Sequence, residues 1–360
     1  MIEYLATVIT NLLSAIPWIG QDFVQFVTIF FLVLSVFSLS VFYMQYFSLP
    51  TIGIVNSKAL RGAKARSPQD KTKYSNISSQ FIAMLVGFID GDGYIKITKT
   101  VKGFISMEIV ISLDIRDKDL VEYLYSVLII GRISYNKSTV KYIIGRVDLQ
   151  EILFPLLLHH NIYFLTDTRR SQYSLALYIL SNNIVKYSDI TPYLELVGKN
   201  IPILPLTPLN YLNLSFFIDW VVGFTIAEGS FYKKSNGEFY FSIRQRTHND
   251  LFIAFQLLFN TARSIDMSSK GHSKFNVSSV KDLTTVINFF SFSNTHPLVG
   301  YKKEQYNKWI DLMRTVNRCK EVTFPNKLFI IKTLYEKDTS CQLWKHNLDN
   351  RANCEEFLES

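Results

Sequence analysis

The feature that most constrains this chain is that it repeats itself once. Met84–Tyr94 reads M-L-V-G-F-I-D-G-D-G-Y, and Trp220–Phe231 reads W-V-V-G-F-T-I-A-E-G-S-F. The acid just before the closing glycine is Asp92 in the first copy and Glu228 in the second. Two more blocks follow in the same order at nearly constant spacing. S-L-D-I-R-D-K-D-L from Ser112 faces S-I-R-Q-R-T-H-N-D-L from Ser242, with one insertion. Arg169-Arg170-Ser171-Gln172-Tyr173 then faces Lys302-Lys303-Glu304-Gln305-Tyr306. The chain therefore carries two similar halves.

Each half shows the same succession of elements. A helix is expected after Ser79 in one copy and after Ser215 in the other, with serine as N-cap. Strands follow. Ile105, Met107, Ile109, Ile111, Leu113 and Ile115 alternate with polar residues through Arg116, and Phe239, Phe241 and Ile243 alternate with polar residues through Arg246. Period-two alternation predicts antiparallel sheets with one covered and one wet face. Helices are expected over Lys118–Leu128 and Asn249–Ala262, then Leu149–His159 and Lys281–Phe290, and finally through Tyr173–Leu180 and Tyr306–Arg314. The intervening stretch Asn182–Leu214 carries Pro192, Pro202, Pro205 and Pro208 and reads as a tether.

The motif itself has a physical consequence. Gly87 and Gly91 lie four apart on one helix face, as do Gly223 and Ala227, and small residues at that spacing let two helices touch backbone to backbone. Their C-terminal ends would then bring Asp92 and Glu228 together. Two adjacent carboxylates near helix C-termini repel each other unless a cation is present. Such hard oxygen ligands suit Mg²⁺ or Ca²⁺, which activate water for phosphodiester hydrolysis. The outward rows of the sheets are expected to hold Tyr94, Lys96, Thr98, Arg116, Arg146, Lys233, Tyr240, Arg244 and Arg246, able to meet phosphates and base edges.

The net charge of +8 and a pI near 9.1 favour a polyanionic partner. Residues 1–57 hold no Lys or Arg and only Glu3 and Asp22 as acids, so that basic character belongs to the rest of the chain. Val24–Phe47 is uncharged and apolar, long enough to span a bilayer as a helix. A basic connector follows, with Lys58, Arg61, Lys64, Arg66, Lys71 and Lys73 against Asp70, read as a solvated linker rather than a phosphate-binding segment. The cysteines Cys319, Cys341 and Cys354 have neither zinc-site spacing nor an even count for disulfides, so they read as free thiols. The histidines do not cluster. The expected division is a leader (1–50), a linker (51–79), a first repeat (80–181), a tether (182–214), a second repeat (215–325) and a tail (326–360).

The doubled motif and its downstream repeat, over about residues 80–325, resemble the LAGLIDADG homing endonucleases and the related group I intron maturases. The resemblance implies an α+β fold of two pseudo-symmetric αββαββα repeats, whose antiparallel sheets form a saddle across DNA. It implies double-strand cleavage dependent on Mg²⁺ (or Mn²⁺), by a monomer. Carried over residue by residue, it makes Asp92 and Glu228 the metal-binding acids and gives Gly91 and Ala227 assisting carbonyls. It also makes Lys302 a basic residue near the reacting water, with Arg169 its counterpart and Gln245 a polar neighbour facing the apolar Ile115. Asp90 is replaced by Ile226 in the second copy and is left out of catalysis. Separately, Leu5–Phe26 resembles a piece of mitochondrial cytochrome b. That implies an intron reading frame continuous with an upstream exon, a mitochondrial product, an apolar leader open to membrane insertion, and an intronless cytochrome b allele as target.

Competing readings are weaker. A maturase that binds its own group I intron RNA without cutting DNA is the main one, and survival of both acids argues against it. Phe88–Gly93 also resembles the D-x-D-G of haloacid-dehalogenase-type phosphatases, but Tyr94 stands where threonine usually follows and the second copy lacks the first acid. An EF-hand reading fails because Val101 occupies the twelfth loop position.

Overall fold

The protein is described from a computed structural model covering residues 73–190, 207–246, 248–268 and 271–325, all within one compact unit, Ala59–Ser360. The apolar leader, most of the 51–79 linker and the 326–360 tail lie outside the described residues. Among the described residues no helix is long and apolar enough to cross a membrane.

The first repeat opens with α1 (Ser79–Asp92). Its N-cap is Ser78, one residue earlier than expected, whose side chain accepts from the Phe81 N–H. Every residue from Phe81 to Asp90 is buried, as befits a helix apolar on all sides. β1 (Gly93–Lys99) and β2 (Ile105–Asp114) follow, then α2 (Lys118–Leu128), β3 (Arg132–Tyr135) and β4 (Thr139–Gly145). The helix expected over Leu149–His159 is a π turn (Leu149–Leu153) running into α3 (Phe154–His159). Pro155 explains the break, since it has no N–H to return to the fourth carbonyl behind it. α4 (Asp167–Ser181) closes the repeat.

The tether contains an element after all. Pro208–Leu212 is a helical turn, α5, with Thr207 capping Asn210 N and Pro208 in the first turn. Proline there starts a helix rather than preventing one. The second repeat then runs α6 (Phe217–Glu228), β5 (Gly229–Lys233), β6 (Phe239–Arg246), α7 (Asn249–Leu258), β7 (Asp266–Ser268), β8 (His272–Val277), α8 (Val280–Phe292) and α9 (Gly300–Arg314). Ser215 does not cap α6, whose N-cap is Phe216 without a side-chain bond.

The two sheets have the same antiparallel order, β1-β2-β4-β3 and β5-β6-β8-β7. Ile95, Ile109, Ile111, Tyr142 and Ile144 face the core in one, and Phe231, Phe241, Ile243, Phe275 and Val277 in the other. The halves meet along α1 and α6. A Cβ built on Gly87 would lie 2.0 Å from the Trp220 carbonyl oxygen, and one on Gly223 1.8 Å from that of Met84. The helices therefore touch through their backbones, which only glycine at these positions allows.

Candidate active site at the helix seam

Both seam helices end where their sheets begin, which brings their last acids within electrostatic reach of each other. Next to them, a Cβ on Gly91 would lie 2.3 Å from the Ala227 Cβ and 3.2 Å from the Glu228 Cγ. Burial raises the pKa of Asp92, with Lys302 opposing and Asp117 reinforcing the rise, although more than a third of its surface stays open. Burial, and then the charge of Asp92, push Glu228 up to about 7, against Gln245, Lys302 and Arg169. Gln245 Nε2 donates to Glu228 Oε1 at 2.7 Å, and its own Oε1 accepts from Arg246 N at 2.8 Å.

The last helix of each repeat delivers a basic side chain. In α9, the Lys302 ammonium donates to the Gly229 carbonyl and is acted on by Asp92, Asp117 and Glu228; burial lowers its pKa against these acids. In α4, Arg169 Nε donates to Ile89 O at 3.2 Å and Nη1 to Gln172 Oε1 at 3.3 Å, while Glu228 lies within its electrostatic reach. Each helix is also pinned to the first strand of its repeat. Gln172 accepts from Ile95 N at 3.1 Å, and Gln305 accepts from Phe231 N at 3.5 Å. These glutamines stand in the repeated block, which was the available signal for them. Asp92, Glu228, Lys302, Arg169 and Gln245 thus converge.

Among the described residues no group of three or more His, Cys, Asp and Glu side chains could hold an ion. Two carboxylates are the side-chain donors on offer, and the carbonyls of Gly91 and Ala227 stand beside them in the last turns of the two helices. A sparse, all-oxygen set of this kind fits a hard divalent ion that keeps water and takes substrate phosphate as further ligands, and does not fit a closed zinc cage.

Asp90 has a different task. Buried at 2% exposure, it accepts from Leu165 N (2.8 Å), Thr166 N (3.2 Å), Thr166 Oγ1 (2.6 Å) and Trp220 Nε1 (2.8 Å). Burial still lifts its pKa to about 6. It ties α1 to α6 and to the start of α4. Asp90→Ala would strand these donors, and urea denaturation is expected to show a loss of about 3–5 kcal/mol.

On the sheet face away from the core, Tyr94, Lys96 and Thr98 stand exposed opposite Val110, Glu108 and Ser106. Arg244 and Arg246 stand opposite Lys274 and His272. Three expected members are placed otherwise, and a fourth, Tyr240, is on the face but covered. Arg116 lies past the strand end in a 3-10 turn, bonded to Asp114 at 3.0 Å, because Asp114 caps that turn through Arg116 N. Arg146 follows the end of β4 and donates to Ile184 O at 3.1 Å, partly buried, because the chain turns into a helix there. Lys233 shares the parity of Phe231, so it lies over the Phe239 ring (5.4 Å) on the core side of the sheet. Tyr240 is on the outer face but covered, stacked on Tyr232 (5.3 Å) with the Lys234 ammonium 4.0 Å above its ring. The face also holds Lys141, Tyr232, His272 and Lys274. The alternation His272-Ser273-Lys274-Phe275-Asn276-Val277 was the legible signal for β8.

Two like halves joined by crossing glycine helices, with acids at the helix tips and a four-stranded sheet on each side, define the LAGLIDADG meganuclease architecture. Residues 85–164 match the family described as LAGLIDADG endonuclease. The fold resembles a variant of I-SmaMI, with a TM-score of 0.53 and 19% identity over 70% of this chain and 96% of the other. It also resembles I-SmaMI bound to uncleaved DNA in the presence of calcium ions (0.52, 18%, 71% and 96%). A third similar structure is the LAGLIDADG meganuclease I-AabMI bound to uncleaved DNA (0.50, 20%, 72% and 98%). Cytochrome b of Mycosarcoma maydis is 96% identical over 22 residues, 6% of each chain, and that of Aspergillus terreus 53% over 47 residues, 13% of this chain. The chain spans only 33% of the latter relative, and these matches fit an exon-derived N-terminal segment.

Proposed function

We propose that this protein is a site-specific endonuclease that cuts both strands of duplex DNA with the aid of divalent metal, Mg²⁺ or Mn²⁺, which Asp92 and Glu228 would hold. The observation that carries the reading is the convergence of two helix-tip acids with one basic arm from each repeat. When bound, the ion would stabilise charge on the phosphate and lower the pKa of water. Lys302 and Arg169 each present donors and positive charge to the non-bridging oxygens of one strand's phosphate. Arginine stays protonated, so Arg169 acts through charge alone; Lys302 supplies a compact charge whose pKa burial lowers. Gln245 holds the Glu228 carboxylate in place through its amide.

The surface we assign to the duplex comprises Tyr94, Lys96, Thr98, Arg244 and Arg246, with Tyr240, Lys274 and Lys141 beside them. It excludes Arg146 and Lys233. Both halves lie in one chain, so a monomer suffices for an asymmetric site. The cytochrome b resemblance points to an intronless mitochondrial cytochrome b allele as target and to intron homing as the outcome. Assistance to splicing of its own group I intron RNA is a compatible second activity.

Purified protein with Mg²⁺ and a cytochrome b exon-junction duplex is expected to yield a double-strand break that EDTA abolishes. Affinity is expected to fall by about 10³-fold between about 50 and 200 mM salt, as phosphate contacts release counterions. Absence of cleavage alongside tight binding of the intron RNA would leave only the splicing activity.

A further inference from the structure

A junction between the repeats lies beside the site and plays no part in the chemistry above. Asp117 is the residue before α2, in the first repeat. Its Oδ1 accepts from Tyr301 N, 3.2 Å away, in the first turn of α9 of the second repeat. The contact is close. Gly300 has φ +62, and a Cβ there would lie 2.8 Å from the Leu120 Cβ and 3.4 Å from Asp117 Oδ1. The Arg116 guanidinium sits 5.2 Å above the Tyr301 ring. The very next residue is Lys302.

The pseudo-symmetric junction exists too. The residue before α7 is His248, and its Nδ1 lies 3.6 Å from Oδ2 of Asp167, the first residue of α4, two residues before Arg169. In both halves, the residue before a middle helix of one repeat lies beside the start of the last helix of the other. In both cases that last helix carries the basic arm.

We infer that Asp117 is a positioning residue for Lys302: by accepting from Tyr301 N across the seam, it fixes the first turn of α9 and so places the ammonium at the Gly229 carbonyl, beside Glu228. The inference rests on the reading of Lys302 as an active-site group. Its decisive feature is the hydrogen bond, which asparagine can also accept.

The test compares Asp117→Ala with Asp117→Asn in the full chain. Lysine labelling by an acetylating N-hydroxysuccinimide ester, read by peptide mass spectrometry, reports the arm without any need for activity. Lys308, exposed on the same helix, is the internal reference. Lys302 labelling relative to Lys308 is expected to rise at least about five-fold in Asp117→Ala and to stay near wild type in Asp117→Asn. A strand-resolved cleavage assay is expected to show nicked product accumulating in Asp117→Ala. The uncut strand should be the one left uncut by Lys302→Met, and melting temperature should account for none of the difference. Unchanged Lys302 labelling in Asp117→Ala overturns the inference, as does equal slowing of both strands. A wild-type protein that cuts no DNA would refute the endonuclease reading, while the labelling would still decide the role of Asp117.

Discussion

Asp92→Asn and Glu228→Gln are each expected to lower double-strand cleavage by about a hundred-fold or more, with DNA affinity nearly unchanged. Each substitution removes a carboxylate from the pair and leaves the sheet faces untouched. Glu228→Gln carries a second, opposite expectation. An acid whose folded pKa is raised to about 7 from 4.5 destabilises the folded state when ionised. That penalty is full above about pH 7, shrinks as pH falls through it, and is gone below the unfolded value. Its upper bound is about 3 kcal/mol, and partial solvent access reduces it to about 1–3 kcal/mol. Metal-free Glu228→Gln at pH 8 should therefore melt about 3–8 °C higher than wild type, and at pH 5 by much less. Thermal denaturation in EDTA at both pH values checks this. Equal melting temperatures at pH 8 would mean that Glu228 carries no ionisation penalty in the fold, and unchanged cleavage by both variants would remove Asp92 and Glu228 from the site.

This opposition between stability and activity helps explain what could be read from the sequence. Asp92 and Glu228 were legible because an acid recurs in both copies of the motif, whereas Lys302 and Arg169 stand in a repeated block and owe their expected roles to the family resemblance. The inward rows of β2 and β6 were legible because one buried face imposes a period of two. Strand ends were not. Arg116 continues the alternation of β2 on paper, yet Asp114 captures its backbone N–H and ends the strand. Lys233 was misplaced because its parity follows Phe231, a register set by pairing with Phe239 rather than by its own charge. Asp90 and Asp117 accept from partners 75 and 184 residues away, and no local pattern encodes such contacts.

Gly223→Val is expected to be the most damaging single substitution, with Gly87→Val close behind. In an ordinary helix interior, replacing glycine with a residue bearing a Cβ relieves backbone entropy, and alanine gains about 1 kcal/mol. Here the sign reverses. The first added carbon at position 223 would lie 1.8 Å from the Met84 carbonyl oxygen and 2.8 Å from Phe88 N. Both are main-chain atoms of a fully buried helix, so no rotamer change relieves the clash. The helices must separate, opening the seam lined by Met84, Phe88, Trp220 and Phe224, all buried. A loss of about 4 kcal/mol or more follows, enough to unfold a domain of ordinary stability near physiological temperature. Even alanine should destabilise by about 1–3 kcal/mol. Gly145 supplies the control, since its Cβ would meet nothing within 4 Å and its φ is −81. Gly145→Ala should melt within a few degrees of wild type. Any Gly223→Ala that folds should bring Asp92 and Glu228 together less closely, so its metal affinity should fall along with its melting temperature. Isothermal titration with Mn²⁺ at pH 8 reads that directly, and wild-type affinity in Gly223→Ala would mean that the acids do not depend on this helix contact for their approach.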